Sequence, residues 1–164
     1  MPLLVRKITR SKWEDSSTIR LEDVQADSIT NCMKTTRNTL STWQIANEEE
    51  LPEAILAIVA GQQHLETIDI VCLDRASLEN KSIALVETEG STPIKELRKL
   101  HVDIHDLTCS TLGVVGREIA EHIRENKENR YTKSALKALL KTAVSGGRLA
   151  LEDLHESVRK ELSK

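Results

Sequence analysis

"SIALVETEGSTPIKELRKLHVDIHDL", Ser82–Leu107, is the stretch on which the choice between sheet and helix turns. An apolar run from Ile83 to Val86 surfaces in Glu87-Thr88-Glu89, and Gly90 turns the chain. Such a run, bounded by a turn residue, predicts a strand over 82–89. Beyond the turn, Thr92 suits an N-cap and Pro93 the first helical position. Ile94, Leu97, Leu100 or His101, Ile104, Leu107, Thr111, Val115, Ile119 and Ile123 then keep one stripe at steps of three and four. That spacing predicts a single helix of roughly 30 residues, about 45 Å long. Gly113 and Gly116 lie inside it and are placed to bend it.

Upstream, Leu3–Arg10 and the stretch after a turn at Arg37-Asn38, through Leu40 to Ile45, alternate as strands do. Thr67–Asp74 is almost wholly apolar, which marks a central strand. Between them, Pro52 at a helix start and Ala54–Ala60, apolar all round, give a short buried helix ending at Gly61. Strand, helix and strand from Leu40 to Leu73 make a right-handed crossover between parallel neighbours. The short connection before Ser82 points to an antiparallel pair, with "RASLENK" (75–81) as a loop. Leu21–Thr35 reads as a helix or two short turns. Downstream of a polar joint, Thr132 caps a helix carrying Leu136, Leu139, Leu140 and Val144, and Gly146-Gly147 ends it. Leu151, Leu154, Val158 and Leu162 give a last amphipathic helix. The expected fold is α+β: a small mixed sheet of about four strands packed with helices, then a long helix and a C-terminal helical pair. Residues 1–126 form the core with the long helix, and 127–164 the helical hairpin.

The totals bound the function. The chain has 164 residues, 39% apolar and 30% charged, enough for one globular domain. Two Trp, one Tyr and no Phe leave the core to aliphatic side chains, and leave few platforms for stacking bases. A net charge of -3 generates no global pull toward nucleic acid or an anionic membrane. No run of apolar residues is long enough to span a bilayer, and no signal-peptide pattern opens the chain. Cys32, Cys72 and Cys109 are odd in number and widely spaced, which is neither a disulfide framework nor a CxxC site. A cytoplasmic protein of bacterial type is expected.

Four constellations carry possible chemistry. Arg6 on an early strand, Ser41-Thr42 on a later one and Glu87-Thr88-Glu89 on a third follow the order found in ADP-ribosyltransferases, which they resemble at these positions. The resemblance implies that Arg6 grips dinucleotide phosphates, Ser41 orders the strand, and Glu89 holds the ribose and an oxocarbenium-like charge, with Glu87 beside it. Trp43 stands where that pattern carries a further hydroxyl residue. His101, His105 and Cys109, four apart, share a face of the expected helix, and two such histidines can share a zinc ion. They lack a CxxC or HExxH partner. "LGVVGREI" (112–119) is similar to the Gly-x-x-Gly loop of KH domains, although Val114-Val115 replaces the usual basic or polar pair. From Arg117 to Arg148 there are eight Lys/Arg against four Asp/Glu. Arg124, Lys127, Arg130, Lys133, Lys137 and Lys141 are the candidates for one nucleic-acid-binding face.

Trp and Arg dominate interface energetics, so Trp13, Arg37, Asn38 and Trp43 are the candidate partner-binding residues. Phosphate-loop and nucleophile-elbow motifs are absent, and no cofactor is expected. The reading that emerges is a non-catalytic protein that binds a protein partner or itself. A transferase-like enzyme and a nucleic-acid-associated helical module are the alternatives.

Overall fold

The structure is a computed structural model that describes residues 1–17, 23–125 and 127–163, the side chains of 14–17 excepted. Its strands are β1 (Leu3–Ile8), β2 (Leu40–Ile45), β3 (Ile68–Asp74), β4 (Ala84–Glu87), β5 (His101–His105) and β6 (Asn129–Tyr131). Its α-helices are α1 (Ala26–Cys32), α2 (Leu51–Ala60), α3 (Arg75–Asn80), α4 (Cys109–Arg124), α5 (Lys133–Ser145) and α6 (Glu156–Leu162). The strands form one six-stranded sheet in the order β4-β5-β2-β1-β3-β6, and every neighbouring pair is antiparallel. The α+β class is as the sequence predicts. The sheet is larger than the expected four strands, and it is not mixed.

The strand-helix-strand unit differs in an instructive way. β2 and β3 do run parallel, joined through α2, but β1 lies between them and pairs with both. The crossover is therefore split by an antiparallel strand. β3 and β4, expected as an antiparallel pair, lie far apart in the sheet, because β4 pairs with β5 at one edge. The segment between them is α3, capped by Asp74, whose carboxylate accepts from the Ser77 N–H at 2.8 Å.

The long helix does not form. Its stripe is shared among a 3-10 helix (Lys95–Leu100), β5 and α4. Val102 and Ile104 face the core at a period of two, and the same residues also fit a helical stripe. Both are β-branched, which favours the strand. Asp106, at φ 52°, breaks the run, and Thr108 opens α4 through a capping box with Thr111. Thr92 caps nothing; its hydroxyl is buried without a partner among the described residues. Gly113 and Gly116 sit within α4 and do not break it. A Cβ on Gly116 would lie 2.6 Å from Ile29 Cδ1, so this glycine lets α1 pack close. Of the helix or two short turns expected in Leu21–Thr35, the helix forms as α1; the expected start at Leu21 lies outside the described residues.

Helices cover both faces of the sheet. On one face Val5, Ile45, Ile68 and Ile70 pack with Ile55 of α2, Leu136 and Leu140 of α5, and Val158 of α6. The C-terminal helices thus share the main core, and β6 adds its strand to β3. On the other face Leu4, Leu40, Val71 and Ile104 pack with Trp13, Met33 and Val115, Ile119 and Ile123 of α4. Each such side chain contributes about 1.5–3 kcal/mol by leaving water.

The hairpin before β2 turns through Arg37 and Asn38, with φ of 54° and 60°, and Thr36 bridges Thr39. Two positive φ values are the signature of the turn that matches strand twist. Asparagine tolerates that region, whereas arginine carries a Cβ clash there. Arg37→Asn is therefore expected to stabilise the fold by about 0.5–1 kcal/mol. The check is the urea midpoint, which should rise with an unchanged slope.

Candidate functional site

The Glu87-Thr88-Glu89 segment ends β4, and its two carboxylates go separate ways. Glu87 accepts from Arg75 Nη1 at 3.4 Å, and Arg75 also holds Glu79 at 2.9 Å and the Gln44 side chain. Glu79 first, and Glu87 after it, strengthen the protonated state of that guanidinium. Glu89 lies 3.5 Å from Arg98 Nη1. The long helix expected to start at Thr92-Pro93 does not form, and each of these carboxylates faces an arginine instead.

Thr88, between them, makes the tighter contacts. Its hydroxyl lies 2.7 Å from His101 Nδ1 and 3.0 Å from Asp103 Oδ2. Burial pushes the His101 imidazole below its ordinary range, with Asp103 partly opposing. A neutral imidazole donating from Nδ1 to Thr88, and Thr88 donating onward to Asp103, satisfies all three groups. The hydroxyl bridges imidazole and carboxylate. In a nucleophile relay the imidazole would be the bridge. The arrangement locks β4 to β5. Trp43 meets the His101 ring edge-on at 5.1 Å and 76°. Sequence reasoning missed this cluster, because it becomes visible only when 101–105 is a strand.

Arg6 and Ser41 do come together. Pairing of β1 with β2 stops at Val5 and Trp43, while β1 continues along β3 as far as Ile8. Into the fork between the diverging strands Arg6 sends its guanidinium. Nη1 donates to the Ser41 carbonyl at 2.7 Å and Nη2 to the Cys32 carbonyl at 2.5 Å. Burial pushes the Arg6 pKa down to about 10. Neither Glu87 nor Glu89 lines the cavity at this fork. Glu89 lines a different cleft of about 620 Å3, with Arg98, Asp153 and His155. The four transferase-like residues are thus divided among three places.

The other candidates disperse too. Trp13 and Trp43 are buried, at 0% and 8% exposure, in the cores on opposite faces of the sheet. Arg37 and Asn38 are exposed at the hairpin tip. With both tryptophans buried, Trp43 does not join Arg37 and Asn38 at the surface, and Trp13 presents no surface anchor. Among the basic residues, Arg124 pairs with Glu121, Lys127 with Glu125, Arg130 with Asp69 and Lys133 with Glu161. With four of six cations matched, and the set spread over α4, β6 and α5, the field is that of a mixed surface. His101 is buried against Thr88, His105 pairs with Asp106 at 2.9 Å, and Cys109 begins α4. Among the described residues no three His, Cys, Asp or Glu side chains are grouped to hold a metal ion. No helix among them is long and apolar enough to cross a membrane.

The two sheet edges differ. β6 is three residues, Asn129, Arg130 and Tyr131, with Arg130 tied to Asp69. Short, polar and charged, it is a protected edge. β4 reads Ala84-Leu85-Val86-Glu87, and Val86 is 42% exposed. Met1 is the one other exposed large apolar residue among those described. The Thr88 N–H donates to the His101 carbonyl, so Thr88 and Val86 belong to the bonded pairs with β5. The N–H and C=O of Leu85 and Glu87 then point away from the sheet. Comparison with family models, with curated proteins and with solved structures finds no match.

Proposed function

We propose that this protein is non-catalytic and works by assembly: two copies join through β4 to continue the sheet. The supporting observation is the edge itself, a mostly apolar strand with two residues' worth of outward backbone groups and an exposed valine. A two-fold axis at Val86 sets Leu85 opposite Glu87 of the second copy. Those are the two residues whose backbone groups face outward, so the ladder closes with both partners satisfied. It also places the two Val86 side chains side by side as a non-bonded pair, about 4.5 Å apart at Cα. The isologous geometry closes at two copies and consumes the edge, which leaves no template for further growth.

Val86→Lys puts two ammonium groups across that axis while leaving the solvent-facing fold intact. Like charges in register cost several kcal/mol, so dimer affinity should fall by roughly a hundredfold or more. Sedimentation equilibrium on the full chain reads this directly. The reading stands if the native chain is a dimer that V86K dissociates. It falls if the native chain is monomeric at every concentration, or if V86K sediments like the native chain.

A further inference from the structure

We propose that the fork between β1 and β2 is a binding site for a small organic anion: an oxyanion head, carboxylate or phosphate, carrying a short apolar tail. The cavity there measures about 320 Å3, at the lower end of sizes that hold small ligands. Two cationic residues, Arg6 and Lys7, line it, together with the polar Thr9, Asn31 and Ser41, and among the described residues no acidic one does. Val5, Trp43 and Ile58 supply an apolar wall.

Arg6 is the unusual element. Arg6 is half-buried, with its Nε fully buried, and a guanidinium withdrawn from water is ordinarily matched by a carboxylate, because an unmatched buried cation is costly. Among the described residues none pairs with Arg6; its partners are two backbone carbonyls. A guanidinium has five N–H donors. Among the described residues two are used, and Nε is buried with no partner. The charge is solvated by dipoles without being neutralised among the described residues, and burial has already weakened the proton's hold on it. Lys7, by contrast, is matched by Glu66 at 2.8 Å. The bond from Nη1 to Ser41 is exposed and that from Nη2 to Cys32 part-buried, so Nη1 is the more accessible of the two to an anion. The head would supply the missing negative charge through charge-assisted hydrogen bonds. The tail would lie along Val5, Trp43 and Ile58. This site is independent of the β4 edge, and neither proposal requires the other.

The test is titration of the full chain with hexanoate, hexyl phosphate, inorganic phosphate and, as a cation control, hexylamine. Calorimetry reads the binding, and tryptophan fluorescence reports on Trp43 at the cavity wall. Saturable binding of hexanoate or hexyl phosphate, with hexylamine inert, is expected; the arms tell a carboxylate from a phosphate source. Arg6→Met keeps the stem and removes the charge, and should weaken the anions at least tenfold. Ile58→Phe narrows the apolar wall without touching Arg6. It should weaken the tailed anions and leave inorganic phosphate unchanged, and it carries the test if R6M does not fold. Failure of both tailed anions to bind the native chain would overturn the proposal. So would hexylamine binding as well as they do, or both variants binding like the native chain.

Discussion

Replacing Trp13 with alanine should lower stability by about 3–5 kcal/mol, the range for truncating a fully buried aromatic. Trp13 lies in a 3-10 helix amid polar neighbours, yet it is completely buried. It packs in the core beneath α4 with Leu4, Ile8, Met33 and Val71. Its Nε1 donates to Cys32 Sγ at 3.1 Å, and that sulfur also accepts from the Thr9 N–H at 3.0 Å. Trp13 thus ties the segment after β1 to α1. Truncation opens a cavity and removes one of the two donors to a buried sulfur. For a domain of this size the loss is a large share of the total stability. Urea unfolding followed by circular dichroism measures it. A loss under about 1 kcal/mol would mean that Trp13 is not the keystone of this face.

Gly90→Ala should destabilise by about 1–3 kcal/mol, although the glycine lies in an exposed-looking turn after two glutamates. A Cβ there would lie 2.5 Å from Trp43 Cη2, 2.8 Å from Trp43 Cζ3 and 2.8 Å from His101 Cβ. Trp43 is buried and braced edge-on by His101, so the ring has little room to retreat. The Gly90 N–H is committed to the Arg98 carbonyl at 2.9 Å, so the backbone is held as well. Gly90 is required by space; its φ is not among the positive ones. The expected signature is a lower thermal midpoint together with altered Trp43 fluorescence. An unchanged midpoint would show that this turn yields easily.

The local elements that the sequence made legible are those with one dominant pattern. α2, apolar all round behind Pro52, and β3, a near-continuous apolar run, form as read. So do β1, β2, β4 and α5. The failures cluster at 92–107, where one set of apolar residues satisfies two periods. Val102 and Ile104 serve a helical stripe and a strand face equally, and the tie is broken by β2 lying alongside to pair with β5. β6 is three residues, of which Tyr131 alone packs against the core, too short to carry a pattern; β3 gives it its conformation. For the site, the sequence could name Arg6 and Ser41, but not the fork that joins them. The fork arises where β1 follows β3 and leaves β2, a long-range choice that neither strand's own residues encode. The burial of both tryptophans was hidden for a similar reason. Trp13 has polar neighbours in sequence and apolar ones in space.

The assembly through β4 is tested most directly by amide hydrogen exchange at Leu85 and Glu87, followed over about a hundredfold dilution of the native chain. The Thr88 amide, bonded to the His101 carbonyl within the sheet, is the internal control. Strand pairing between copies protects Leu85 and Glu87 at high concentration and releases them on dilution, while Thr88 stays protected throughout; in V86K both exchange fast at every concentration. Exchange at Leu85 and Glu87 that is fast and independent of concentration in the native chain would contradict assembly through this edge.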